Sequence, residues 1–241
     1  MENNKSRFNT NSNTYTIIYS VIVVVIVAFL LAFVFKALKP MQDRNVALDK
    51  KKQILAALNI RNIDGEAAAL KYKSVVLSDD ILDKSGKVVE KGTTGAENNG
   101  FKLNSADYKA GKLALYVCNV NGEKKYVIPV YGMGLWGPIS GFIAVNADKN
   151  TVYGAYFNHE SETAGLGAEI KDNVKWQEKF EGKKIFKDAD KSKVALSVNK
   201  KVDDPSTQVD AVTGATLTSN GVTDMLHDCL SQYNSFFKEH N

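Results

Sequence analysis

Thr213 to Ser219 reads TGATLTS, with Asp210 just upstream and an amphipathic segment directly behind it. Hydroxyls and small residues gathered where a helix begins suit two roles. Thr213, Thr216, Thr218 or Ser219 can act as an N-cap and accept a hydrogen bond from one of the first helical N–H groups. The same free N–H groups, with the positive end of the helix dipole, favour a phosphate. Gly214 and Ala215 let the backbone approach a bulky group closely, and Asp210 offers a carboxylate for a ligand substituent or for a metal-dependent transfer. The residues themselves leave both roles open.

Glycines cluster twice more, in YGMGLWGPISG (Tyr131 to Gly141) and ETAGLGAEI (Glu162 to Ile170). Neither follows a strand and opens a long helix with GxGxxG spacing, so neither is a dinucleotide fingerprint. Bends around a core are one reading. The other is a pocket in which Trp136 and Leu166 wall a planar ring while Thr163 and nearby backbone groups bond its polar edge. His159, His227 and His240 are scattered, so no metal site and no Ser/His/Asp arrangement is expected, and no residue is assigned a catalytic role. Cys118 and Cys229 lie far apart outside any CxxC motif and read as two small buried hydrophobes. The lysine pairs at 124–125, 183–184 and 200–201 read as solvated surface.

The elements that position these groups follow from patterning. The chain has 241 residues, room for one membrane anchor and one domain of ordinary size. Its 31 basic and 27 acidic residues alternate instead of forming blocks, which gives no footprint for nucleic acid. Tyr15 to Phe35 is almost wholly apolar, and residues 15–36 are long enough to span a hydrocarbon core of about 30 Å. That length exceeds a signal peptide's apolar region, and no small-x-small cleavage site follows, so a retained transmembrane helix is expected. Lys5 and Arg7 precede the span while Lys36, Lys39 and Arg44 follow it, a local count that would place the large domain inside.

Residues 37–60 carry apolar positions at helical spacing and predict a juxtamembrane stalk helix. A further short helix is expected at Glu66 to Tyr72, then strands and loops to Asn99. KLALYVCNV and KKYVIPVY flank Asn121-Gly122, the strongest hairpin signal in the chain. Ile139 to Asn146 and Thr151 to Phe157 predict a second hairpin. Asp172 to Phe180 predicts a short helix capped by Asp172 or Asn173, and Lys193 to Val198 a strand. One continuous apolar face from Val222 to Phe237 predicts a core helix that holds the TGAT turn against the sheet. The whole is α+β: an N-terminal tail (1–14), the transmembrane helix, the stalk, and a globular domain over 61–241 with antiparallel hairpins packed on helices.

LKPMQDRNVALDKKKQIL, YGMGLW, ETAGLGAEI and DAVTGATLTS together resemble the NqrC family, the C subunits of the sodium-translocating NADH:quinone reductase, over almost the whole chain. The TGAT motif is shared with the covalent FMN subunit of the Rnf electron-transport complex and with FMN-binding regulators. The stalk and Gly134-Leu135-Trp136 resemble the sodium-pump family. The resemblance implies FMN held by a phosphoester to Thr216, with Thr163, Leu166, Trp136, Asp210, Gly214, Ala215 and Thr218 around it, and Lys200 or Lys201 contributing. It implies an electron carrier with no freestanding catalysis, in a six-subunit complex with the B, D and E subunits as neighbours. It further implies a flavin transferase that uses FAD and magnesium, and a single-pass bacterial inner-membrane protein with its domain on the periplasmic side. The alternatives are an Rnf-type FMN subunit and a membrane-anchored FMN-binding module without electron transfer. Two positions depart from the family pattern: Ala164 stands where the family has proline, and His159 lies four residues before Thr163 where the family's histidine lies three, so His159 is given no flavin role.

Overall fold

The computed structural model describes residues 12–239, so most of the expected N-terminal tail, and His240, lie outside the described residues. The chain divides after Ala47 into two compact units. The first is most of α1 (Asn13–Ala57), a 45-residue helix. Its side chains from Asn13 to Val46 are exposed, and it is long and apolar enough to cross a membrane. Anchor and stalk, expected as two helices, are one, and Pro40 removes a backbone donor without ending it.

The second unit begins with the last turns of α1, where Ile54, Leu55 and Ala57 are buried. α2 (Gly65–Val75) is capped by Asp64, whose carboxylate accepts the Ala67 N–H, and it runs straight into β1 (Val76–Leu82). β2 (Val88–Glu90), the short α3 (Ser105–Lys109), β3 (Leu113–Val120), β4 (Glu123–Met133), β5 (Pro138–Asn146) and β6 (Val152–His159) follow. The six strands form one antiparallel sheet in the order β2-β1-β3-β4-β5-β6. Both expected hairpins are present. Asn121 and Gly122 take φ of 54° and 86°, the pair of positive values a two-residue turn between twisted strands requires.

The remainder departs more from expectation. The helix expected at 172–180 is α5 (Val174–Glu178), capped by Asn173 through the Trp176 N–H, and α4 (Glu169–Asp172) precedes it out of the glycine-rich ETAGLG segment. The strand expected at 193–198 shrinks to β7 (Ser197–Asn199), which pairs parallel with β8 (Gln208–Asp210). The single terminal helix is two, α6 (Thr216–Ser231) and α7 (Asn234–Lys238). Between them Tyr233 turns inward and its hydroxyl donates to the Ala114 carbonyl at 2.8 Å.

α6 lies across β4 and β7. Its Val222, Met225, Leu226 and Leu230 enter a core shared with Ile128, Val130, Ile139 and Ile143, so the apolar stripe is structural, as its spacing predicts. Phe157, Trp176 and Phe180 form a mutually touching aromatic group beside it. Two burial readings are corrected, Lys125 read as surface and Cys229 read as buried. Lys125 is buried: its ammonium bonds Glu123 at 2.6 Å and Asn146 at 2.7 Å and lies over the Tyr153 ring. Cys229 is half-buried and engages the backbone of Tyr131, whereas Cys118 is fully enclosed.

Candidate functional site

The N-terminus of α6 is anchored from below and open above. Val212 donates its N–H to Ser219 Oγ at 3.1 Å, and the Ala215 N–H bonds the Val212 carbonyl at 3.1 Å. These bonds turn the chain through Thr213 and Gly214, which has a φ of +76° that glycine adopts without strain. The helix then starts with Ala215 in the N-cap position, and no side chain caps it. None of the four hydroxyl residues weighed for the cap fills it. The first N–H groups of α6 therefore lack the acceptors that a Ser or Thr cap would supply, and the exposed Thr216 stands in the first turn among them.

The other two glycine-rich segments converge here on a residue that the sequence did not single out. Glu162, buried just past the end of β6, accepts the Trp136 N–H at 2.8 Å through Oε1 and the Thr218 hydroxyl at 2.6 Å through Oε2. Its own N–H donates to His159 Nδ1 at 3.2 Å. A Cβ on Gly134 would strike Oε1, and one on Gly167 would strike Oε2 and the Thr218 hydroxyl. The glycines are thus clearance for one carboxylate that ties all three segments together. Its only trace in the sequence is a glutamate ahead of TAGLG, and glutamate is commonly a surface residue.

Thr163 is exposed, and its carbonyl accepts the N–H groups of Leu166 and Ala168, which closes the TAGLG turn. Gly165, at φ +72°, and Leu166 project from that turn. Leu166 lies over Gly214, where an added Cβ would come within 2.8 Å of its Cδ2. Trp136, Leu166 and Leu217 are 66%, 42% and 60% exposed, large apolar side chains that come from the three converging segments. Asp210 is on β8, with its carboxylate paired to Lys179 at 2.7 Å and its carbonyl accepting Trp176 Nε1. Lys201 pairs with Asp203 at the surface, and Lys200 is exposed. The fold therefore brings Trp136, Thr163, Leu166, Gly214, Ala215, Thr216 and Thr218 into one constellation, and it ties the Asp210 side chain to Lys179.

An uncapped helix start beside an exposed hydroxyl fits a phosphate ester, and apolar side chains left bare at the same place fit a flat ring. These features define the class. The family model of the FMN-binding domain matches residues 134–231, which take in Gly134 to Gly141 of the first segment and the whole of the other two. The C subunit of the Na(+)-translocating NADH-quinone reductase from Haemophilus ducreyi is 36% identical over 205 residues, 77% of each chain. Its counterpart from Neisseria meningitidis serogroup B is 33% identical over 201 residues, again 77% of each. The crystal structure of the C subunit from Parabacteroides distasonis superposes with a TM-score of 0.76 at 35% identity, covering 85% of this chain and 98% of that one. The Shewanella oneidensis NqrC structure gives 0.63 at 25% identity, covering 82% and 99%. The chain belongs to the NqrC family, the C subunits of the Na(+)-translocating NADH-quinone reductase.

Proposed function

We propose that this chain is the electron-carrying C subunit of a sodium-translocating NADH:quinone reductase, with FMN attached through a phosphoester to Thr216. The observation that carries the reading is the uncapped start of α6, with the exposed Thr216 in its first turn. Of the nearby threonines, Thr218 is committed to Glu162 and buried, so its oxygen is closed to a reagent from outside. Attachment by a flavin transferase forms the bond from Thr216 Oγ to the FMN phosphorus of FAD, breaks that phosphorus–oxygen bond to AMP, and releases AMP and the hydroxyl proton.

Bound FMN supplies reversible one- and two-electron chemistry, and the protein supplies position and electrostatics. The free N–H groups of α6 hold the phosphate. Trp136, Leu166 and Leu217 shield the ring, and Glu162 fixes the segments that carry Trp136 and Leu166. Electrons pass from NADH toward quinone with sodium export, through contacts with the other subunits, B, D and E among them. α1 anchors the chain in the bacterial inner membrane with the globular domain on the periplasmic side.

Flavin fluorescence on a denaturing gel tests the attachment. Coexpression with the transferase should give a fluorescent band that disappears in Thr216→Ala and persists in Thr213→Ala. A band at full strength in Thr216→Ala overturns the assignment. Affinity purification of the full chain from its host should bring down a six-subunit complex whose NADH oxidation depends on sodium.

A further inference from the structure

β3 and β4 are paired only from Tyr116↔Val127 toward their hairpin turn. Beyond that point β3 stays with β1 as far as Leu113, and β4 stays with β5 as far as Met133. The two central strands therefore part, and a cavity of about 420 Å³ opens between them. Several of the backbone groups exposed by the split are answered individually. Cys229 Sγ sits 3.3 Å from both the N–H and the carbonyl of Tyr131, Tyr233 bonds the Ala114 carbonyl, and Pro129 has no N–H to satisfy. A split in which Cys229 and Tyr233 supply partners to both strands is a built feature and not a frayed edge. Cys229 is roughly 20 Å along α6 from Thr216, at about 1.5 Å per residue, so the cleft is separate from the flavin attachment.

The volume falls within the range of about 300–1,000 Å³ usual for small-molecule sites. Leu113, Pro129, Tyr131 and Tyr233 make apolar and aromatic walls, and Tyr108 closes the cavity with its ring centroid 5.1 Å from that of Tyr131. The Tyr108 hydroxyl is buried beside the Tyr131 hydroxyl, and the two phenols carry two protons, of which a mutual hydrogen bond uses one. Lys84, also lining the cavity, is exposed and forms no ion pair among the described residues. Flat walls, one phenol proton left over from the Tyr108–Tyr131 pair and one unpaired cation select for a ring that bears a negative acceptor. We propose that the cleft between β3 and β4 binds a planar aromatic carboxylate, its ring against Tyr131 and Pro129 and its carboxylate between the Tyr108 hydroxyl and Lys84.

The test uses the full chain in phosphatidylcholine nanodiscs with 2-naphthoate as probe and the neutral 2-naphthylmethanol as comparison. Calorimetry should show saturable naphthoate binding at or below about 1 mM, and binding should slow alkylation of Cys229 by iodoacetamide several-fold while the enclosed Cys118 stays silent. Lys84→Ala, at an exposed position, and Tyr108→Phe, which keeps the ring, should each weaken naphthoate about tenfold and leave 2-naphthylmethanol unchanged. Absence of both saturable heat and Cys229 protection in the folded wild type overturns the proposal. So does naphthoate affinity that neither substitution alters.

Discussion

Glu162 joins three stretches of chain that have no local reason to meet, and its replacement separates charge from shape. Glu162→Ala removes the acceptor of the Trp136 N–H and of the buried Thr218 hydroxyl, at about 1–3 kcal/mol for each group left unsatisfied. Glu162→Gln keeps the volume and one acceptor oxygen, and its amide can donate to Thr218, so it should cost less than about 1.5 kcal/mol. Urea unfolding followed by tryptophan fluorescence reads the difference, and equal tolerance of the two would show that the carboxylate does not hold the segments. Glu162→Ala should also lower flavin incorporation at Thr216, which the gel band measures. The TGATLTS hydroxyls and the proposed ring-wall residues Trp136 and Leu166 could be singled out because residue type alone suggests such chemistry. Glu162 was not, because its partners lie 26 and 56 residues away and only the fold supplies them. The Asp210 carboxylate, read as a ligand group, pairs with Lys179 from the turn after α5, a partner that only the fold supplies.

Gly221 shows how an element can invert an intrinsic preference. It lies inside α6, where glycine is ordinarily about 1 kcal/mol worse than alanine. Here a Cβ would run into the Met133 carbonyl and press on Gly134 Cα, backbone atoms that cannot swing aside. Gly221→Ala should therefore destabilise the domain by about 1–3 kcal/mol despite the better helix former, whereas Asn220→Ala on the exposed side should be neutral or stabilising by a few tenths. Urea midpoints decide between them, and a stabilised Gly221→Ala would mean that α6 can lift away from β4. Elements with strong periodicity were readable: the apolar span, both hairpins and the face of α6 follow from alternation or helical spacing. Three-residue strands such as β7 and β8 carry too little pattern to be seen, and their parallel pairing depends on the turn through Asp204, whose carboxylate holds Ser206. The break at Tyr233 was hidden because its apolar spacing continues across it, while the hydroxyl's bond to Ala114 pulls the chain out of helix. Lys125 was misread because a lysine doublet looks solvated until strand alternation turns one member inward, onto Asn146 and the Tyr153 ring.

The globular unit as a whole buries titrating groups with opposite effects on stability. Burial lowers Lys50 to about 8, with nearby Asp79 opposing the shift, and burial lowers Lys149 and Lys191 in the same sense. A lysine depressed in the folded state binds fewer protons there than in the unfolded chain between its two pKa values, so stability rises with pH across that window. For Lys50 the window runs from about 8 to 10.5, worth about 1 kcal/mol between pH 8 and 9. Burial raises Tyr108, Tyr116 and Tyr233 well above their ordinary value of 10.0. Above that value the unfolded chain loses its phenolic protons first, so the stability they contribute is full below about pH 10 and is lost as pH rises beyond it. Burial also raises the Cys118 and Cys229 thiols, whose contribution is lost as pH rises past their ordinary value of 9.0, so the rise carried by the lysines is countered from about pH 9 upward. Lys50 also donates to the Phe101 carbonyl at 2.5 Å, and the Asp79 carboxylate accepts the N–H groups of Asn98, Asn99 and Phe101, so the loop ahead of α3 is held between them. Lys50→Met removes the titration along with that bond: it should lower stability at pH 9 more than at pH 7, by about 1 kcal/mol. Unfolding of the full chain at both pH values, followed by the fluorescence of Trp136 and Trp176, measures this directly. Parallel losses at the two values would mean that Lys50 keeps its proton throughout and that the rise belongs to Lys149 and Lys191.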